Sequence, residues 1–160
     1  MAPLDVTIDH DNRQLVITRV FDAPRELVFK TYTDPELIPQ WWGVGGQTTV
    51  DVMDVRPGGR WRYVQRDAEG NEQGFRGEYR DVTPPERLSY TFEWEGMPGH
   101  IILETLVFDE QDGKTTIINT SRYDTLEDLE GMLQTGAEQG AAITWDRLAE
   151  VLKRLLLQQG

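Results

Sequence analysis

At 160 residues the chain suits one domain, long enough to bury roughly two-thirds of the surface that its unfolded form exposes. The absence of cysteine excludes thiol catalysis, thiolate metal sites and disulfides, and a formal net charge of −12 disfavours nucleic acid and anionic membrane surfaces as partners. No apolar run approaches signal-peptide or bilayer-spanning length, so the sequence reads as a soluble, cytoplasmic protein without membrane insertion.

One domain, 1–160, is expected, because no repeat, low-complexity run or linker divides the chain; residues 1–12 read as a loose N-terminal segment. Residues 13–21 (RQLVITRVF) alternate Leu15 and Ile17 with polar neighbours, which is a strand signal. Asp22 as N-cap and Pro24 in the first turn, followed by Leu27, Val28 and Tyr32, predict a short helix over 24–33. The same opening at Asp34-Pro35 predicts a second short helix, ended by Pro39. The chain then enters QWWGVGG, residues 40–46, where two tryptophans stand beside three glycines.

From 47 to 122 the period changes to two. Strands are expected over 48–55, 60–66, 72–82, 87–95, 101–109 and 114–123, separated by turn residues such as Pro57-Gly58-Gly59, Gly70-Asn71 and Asp112-Gly113. Connections this short join antiparallel neighbours. Beyond Asp124 the period returns to 3.6: Thr125 and Asp128 suggest a capping box ahead of an apolar stripe through Leu126, Leu129, Leu133, Ala137, Ala141, Leu148, Val151, Leu152 and Leu155. One long helix is expected, with little bulk in its middle. This β-α-α-β6-α order defines an α+β domain in which the long helix covers the apolar face of one antiparallel sheet.

Arg19-Val-Phe-Asp-Ala-Pro24, Thr33-Asp-Pro35, Trp41-Trp42-Gly43, Arg56-Pro-Gly-Gly59, Pro84-Pro85-Glu86-Arg87-Leu88 and Asp146-Arg147-Leu148 follow one another in this order. Together they resemble the START-like (SRPBCC) superfamily, in its branch similar to the C-terminal domain of the heat-shock-protein-90 ATPase activator. The resemblance spans almost the whole chain and implies the helix-grip fold, a curved antiparallel sheet wrapped around the C-terminal helix with a hydrophobic cavity between them. It implies no single function, since the superfamily includes lipid carriers, hormone receptors, polyketide cyclases and co-chaperone domains. Members of the branch often have Gly-Trp in the long helix ahead of Leu-Asp-Arg-Leu. Here the matching residues are Gly140-Ala141 and Trp145-Asp146-Arg147-Leu148, so the tryptophan stands one turn further on and the bulk under the helix is moved.

The glycines after Trp42 do not make a phosphate loop, because a strand follows them instead of a helix N-terminus and no lysine is near. His10 and His100 have no partner at metal-ligand spacing and read as solvated loop residues, so no metal or cofactor is expected. The candidate ligand-binding residues are mostly aromatic: Trp61 and Tyr63 on one expected strand, Phe75 and Tyr79 on the next, and Tyr90, Phe92 and Trp94 on a third. These rows serve either plain core packing or an apolar cavity with a few polar handles, facing Leu133, Gly136, Ala137, Gly140, Ala141 and Trp145 of the long helix. Trp41 and Trp42, at the bend after Pro39, complete the candidate set, and at least one of them is expected at the cavity mouth.

Glu104 shares a face with Ile102, Leu106 and Phe108 and is the candidate acid, base or polar anchor, the alternative being a solvated place at the sheet margin. The leading reading is a binder of an apolar or aromatic, lipid- or polyketide-like small molecule, rather than an enzyme. A cyclase-, aromatase- or hydrolase-like activity in the same cavity is one alternative, and a chaperone-ATPase regulator, whose chaperone contact the sequence does not support, is another.

Overall fold

The computed structural model describes residues 4–159. Its strands are β1 (Asp5–Asp9), β2 (Gln14–Phe21), β3 (Gln47–Met53), β4 (Arg60–Arg66), β5 (Glu72–Thr83), β6 (Arg87–Trp94), β7 (Ile101–Gln111) and β8 (Lys114–Tyr123). They form one antiparallel sheet in the order β1-β2-β8-β7-β6-β5-β4-β3. The meander expected from the period-two pattern is β3 to β8, each strand ending within about two residues of its expected limits, the usual margin for such boundaries.

Residues 5–9, read from the sequence as part of a loose segment, are instead a strand: β1 pairs with β2 from Asp5↔Thr18 to Asp9↔Gln14. Asn12 closes this hairpin by donating to Asp9 from its backbone N–H and its side chain, at 3.2 and 2.8 Å. Residues 1–3 of that segment lie outside the described residues.

The helices are α1 (Arg25–Thr33), α2 (Ile38–Trp41), α3 (Leu126–Gln134) and α4 (Ala137–Gln159). Asp22 does not cap α1. Pro24 holds the N-cap position, and the Arg25 N–H is met from the end of β7 by Glu110 Oε1 at 2.8 Å. Nor does Pro39 end the second helix: it lies in the first turn of α2, where its missing N–H would have no intrahelical partner. The expected single C-terminal helix is two. Thr125 caps α3 as expected, its Oγ1 accepting from the Asp128 N–H at 3.0 Å, but Gly136 follows at φ 92° and a left-handed residue ends a helix.

The inner face of the sheet is covered by α4 and α1. Trp145, Leu148, Val151 and Leu152 of α4 are buried together with Leu15, Ile17 and Phe21 of β2, Leu106 and Phe108 of β7 and Ile117 of β8. Phe29 of α1 meets Phe108 edge-on at 5.4 Å, and Trp145 meets Phe21 the same way at 5.5 Å. Two polar contacts fasten α4 across this apolar layer. The Trp145 indole donates to the Tyr32 hydroxyl at 2.9 Å, and Arg19, buried on β2, pairs with Asp146 at 2.7 Å. Register shifts at Val50/Val52 in β3 and Tyr79/Asp81 in β5 mark bulges, and bulges bend a sheet.

Gly77 of β5 stands opposite Trp61 of β4, and the Trp61 indole crosses it to donate to the Thr91 carbonyl at 3.2 Å. A Cβ at position 77 would stand 2.5 Å from Trp61 Nε1 and collide with the Thr91 carbonyl, both rigidly held. Gly77→Ala is therefore expected to destabilise the protein by about 1–3 kcal/mol through overpacking, measured as a lowered urea midpoint with an unchanged slope.

Candidate ligand cavity

Between the curled half of the sheet and the two short helices, a small void is lined by Tyr32 of α1, Ile38 of α2 and Trp42 just after it, by Trp61 and Tyr63 of β4, by Tyr79 of β5, and by Leu88 and Tyr90 of β6. Alternation places these strand residues on one face, and register sets Tyr79 opposite Tyr90. The room left for a water centre is about 10 Å³, the size of a single water. The protein's own rings occupy the rest.

Trp42 is the chief of these rings. It is half-buried, edge-on to Tyr63 at 5.0 Å and to Phe75 at 5.2 Å, with Phe92 at 6.4 Å. Its backbone is anchored: Thr48 Oγ1 donates to the Trp42 carbonyl at 2.7 Å and Arg147 to the Gly43 carbonyl at 2.9 Å. Gly43, at φ 101°, turns the chain away immediately afterwards. Trp41 has a different place. It is 2% exposed, donates from its indole to the Thr31 carbonyl at 2.9 Å and packs on Tyr32 at 4.6 Å, so it belongs to the core while Trp42 stands at the mouth.

The other residues singled out by sequence fall into three groups. Trp61, Tyr63, Tyr79 and Tyr90 line the void; Phe75 and Phe92 back the Trp42 ring without reaching it. Trp94 does not join them. At the end of β6 it is 38% exposed and borders a hollow on the other side of the sheet with Arg62, Glu95 and Gly96. That hollow, about 650 Å³, is open to solvent, and its charges pair with one another: Arg62 with Glu95 at 2.7 Å and Asp51 at 3.1 Å, Arg66 with Glu72 at 2.6 Å.

The small-residue stretch of the C-terminal helices is also displaced from the void. Leu133, Ala137 and Ala141 are half-buried against the core, Gly136 is the break between α3 and α4, and Gly140 faces Val44. The space beneath them is taken by the loop after Trp42, not by an opening. Trp145 is not among the lining residues; it donates to Tyr32, which is. Three lining residues were not among those expected. Tyr32 and Ile38 come from short helices whose facing strand alternation cannot fix, whereas Leu88 heads the alternating row of β6 and could have been found there.

Glu104 lies on the inner face and not at a solvated margin. Tyr90 is opposite it on β6 and Ser121 on β8. Its Oε1 accepts from Asn119 Nδ2 at 3.0 Å and from Ser121 Oγ. Burial raises the carboxyl above its ordinary value, with the two hydrogen bonds opposing the rise. Burial also lifts the Tyr32, Tyr63 and Tyr90 hydroxyls well above the usual tyrosine range and Tyr79 to about 12, so all four remain hydrogen-bond donors in neutral solution. Among the described residues no cluster of His, Cys, Asp or Glu could hold a metal ion. His100 is not simply solvated, since its Nδ1 lies 2.9 Å from Asp128 Oδ1 and links the start of β7 to α3.

A carboxyl raised on folding makes the folded state the better proton binder, so stability is full below the ordinary carboxyl value and is lost as pH rises toward the folded one. Glu104→Gln keeps the acceptor for Asn119 and Ser121 and removes the ionisation. The variant is expected to be more stable than wild type near pH 7, and the difference to shrink to nothing at about pH 4, as read from urea midpoints at the two values.

A curved antiparallel sheet gripping a C-terminal helix, with an aromatic void between sheet and helices, is the helix-grip architecture of the START-like (SRPBCC) superfamily. Within it, the chain belongs to the family described as Activator of Hsp90 ATPase homolog 1-like protein, whose sequence profile matches residues 22–153. Among solved structures it is similar to protein Ms6760 from Mycobacterium smegmatis, with 28% identity over 94% of this chain and 97% of that one and a TM-score of 0.83. A Staphylococcus epidermidis protein is 29% identical over 92% of this chain and 94% of its own, with a TM-score of 0.80. DynU16, from the dynemicin biosynthetic locus, shares the fold at 20% identity and a TM-score of 0.66, over 88% of this chain and 47% of that one. No curated protein matches the chain. Among the described residues no helix is long and apolar enough to cross a membrane.

Proposed function

We propose that the protein binds an apolar or aromatic small molecule between the sheet and its helices, in the site now filled by Trp42. The observation that carries this reading is the lining itself: Trp61, Tyr63, Tyr79 and Tyr90 converge with Tyr32 on one void, closed at the mouth by a single half-buried indole. A pure core would bury such a ring completely, as it does Trp41. Rotation of the Trp42 side chain about its anchored backbone would vacate the space over Tyr63 and Phe75, leaving aromatic walls with hydroxyl handles, the usual make-up of a small-molecule site. Membership of a family within a superfamily that includes polyketide cyclases and lipid carriers supports the same reading.

A second reading, catalysis in the same cavity, rests on Glu104, a carboxyl with a raised ionisation held by two donors beside Tyr90. Such a group suits general acid or base chemistry, and loss of turnover in Glu104→Gln with ligand binding retained would favour it. The chaperone-regulating role in the family's description has no counterpart in the geometry of this cavity.

The binding reading is tested by titrating the protein, labelled at its tryptophan indoles, with a neutral two-ring aromatic such as naphthol. Shifts of the Trp42 and Trp61 indole N–H signals are expected; shifts confined to Trp94, on the outer hollow, would count against the cavity. Trp42→Ala is expected to lower stability by about 2 kcal/mol, less than a fully buried ring would, and to tighten probe binding roughly ten-fold by vacating the site.

A further inference from the structure

The void has no cationic wall. Neither lysine, arginine nor histidine is among its lining residues. Arg19, buried on the inner face, is held by Asp146 at 2.7 Å, and Arg147, beside the mouth, donates to the carbonyls of Gly43 at 2.9 Å and Gln40 at 3.5 Å. An acidic group adjoins the lining without being part of it. Glu104 stands directly opposite Tyr90, a lining residue, with Cβ atoms at such positions about 5 Å apart. Both of its donors, Asn119 and Ser121, reach Oε1; Oε2 has no hydrogen-bond partner among the described residues, and the residue as a whole is of intermediate burial.

Building on the cavity reading, we propose that the site selects its ligand by charge: it takes neutral or cationic aromatic compounds that bear a hydroxyl or amine and rejects carboxylates, with Glu104 making the distinction. The ionised Oε2 accepts a hydrogen bond from such a donor, and the protonated one donates to a hydroxyl oxygen. No proton need leave the pair for either contact to form. With Glu104 ionised, a ligand carboxylate in the same place would set two negative charges side by side in poorly screened surroundings, with no cation in the lining to offset them. Fatty acids and aromatic acids are thereby excluded from the wider class of apolar ligands.

Naphthol and naphthoate share a ring system and differ in charge near pH 7, so they are the probes of choice, with the Trp42 and Trp61 indole signals reporting occupancy. Any apolar site prefers the neutral compound. The deciding quantity is therefore the ratio of the two affinities in wild type against Glu104→Gln, an isosteric variant that keeps the acceptor for Asn119 and Ser121. The ratio is expected to fall about ten-fold or more, chiefly because naphthoate binds better. Glu104→Leu, neutral but without an acceptor, is expected to lower the ratio as well while weakening naphthol, which separates charge from hydrogen bonding. An unchanged ratio in both variants overturns the role of Glu104 and leaves the cavity reading standing. Naphthoate binding as tightly as naphthol to wild type overturns charge selection. Indole signals that move with neither probe overturn this inference and the cavity reading together.

Discussion

The hydrogen bond from the Trp145 indole to the Tyr32 hydroxyl fixes how the layers of this protein meet. Both groups are buried, and a buried donor or acceptor left without a partner costs about 1–3 kcal/mol, so neither helix can roll without stranding a polar atom. With Trp145 fixed, Leu148 and Leu152 of the same helix face fall onto the sheet, and Asp146 comes within reach of Arg19. With Tyr32 fixed, its ring is clamped between Trp41 and Phe108, at 4.6 and 5.7 Å, and its remaining surface becomes part of the cavity wall. The placement of the tryptophan one turn beyond the Gly140-Ala141 pair thus has a structural purpose. The bulk sits against Phe21 and Tyr32, while the small residues upstream leave room for Val44 and its loop.

Against that apolar layer, Glu104 is a local contradiction. Leu106 and Ile102, on the same face of the same strand, show what packing alone would select there. A carboxyl in such a place is less stable when ionised, and Ser121 and Asn119 recover only part of the loss. Sequences break the rules of packing mainly where chemistry or recognition asks for it. The tyrosines around it point the same way, because each keeps a polar tip in a layer that phenylalanine could have filled.

The meander was legible because period-two alternation and Gly- or Asn-bearing turns reinforce one another over six strands. The aromatic rows of β4, β5 and β6 were legible for the same reason. Two kinds of feature were not. Local breaks such as Gly136 look, in sequence, like a tolerated glycine in a continuing apolar stripe; only its φ of 92° separates α3 from α4. Long-range packing was also hidden. Periodicity correctly reported that the middle of the C-terminal helix lacks bulk, but not that the loop after Trp42 fills the gap, bound there by Arg147 and by Val44 against Gly140. The cavity consequently lies nearer α1 and α2 than the sequence placed it, and Trp94, which alternation puts in the inner row, stands exposed at the end of β6 outside it.

Trp42 has one more consequence. If the cavity binds a ligand, an indole attached to it by its own backbone is a tethered competitor, present at a fixed effective concentration however dilute the protein becomes. On the binding reading, an incoming molecule would be measured against the contacts that Trp42 makes with Tyr63 and Phe75, and its apparent affinity would fall in proportion to the fraction of time the seat is open. Position 42 would then be a threshold dial: a smaller side chain there would lower the bar for every ligand at once, while the aromatic walls stay as they are.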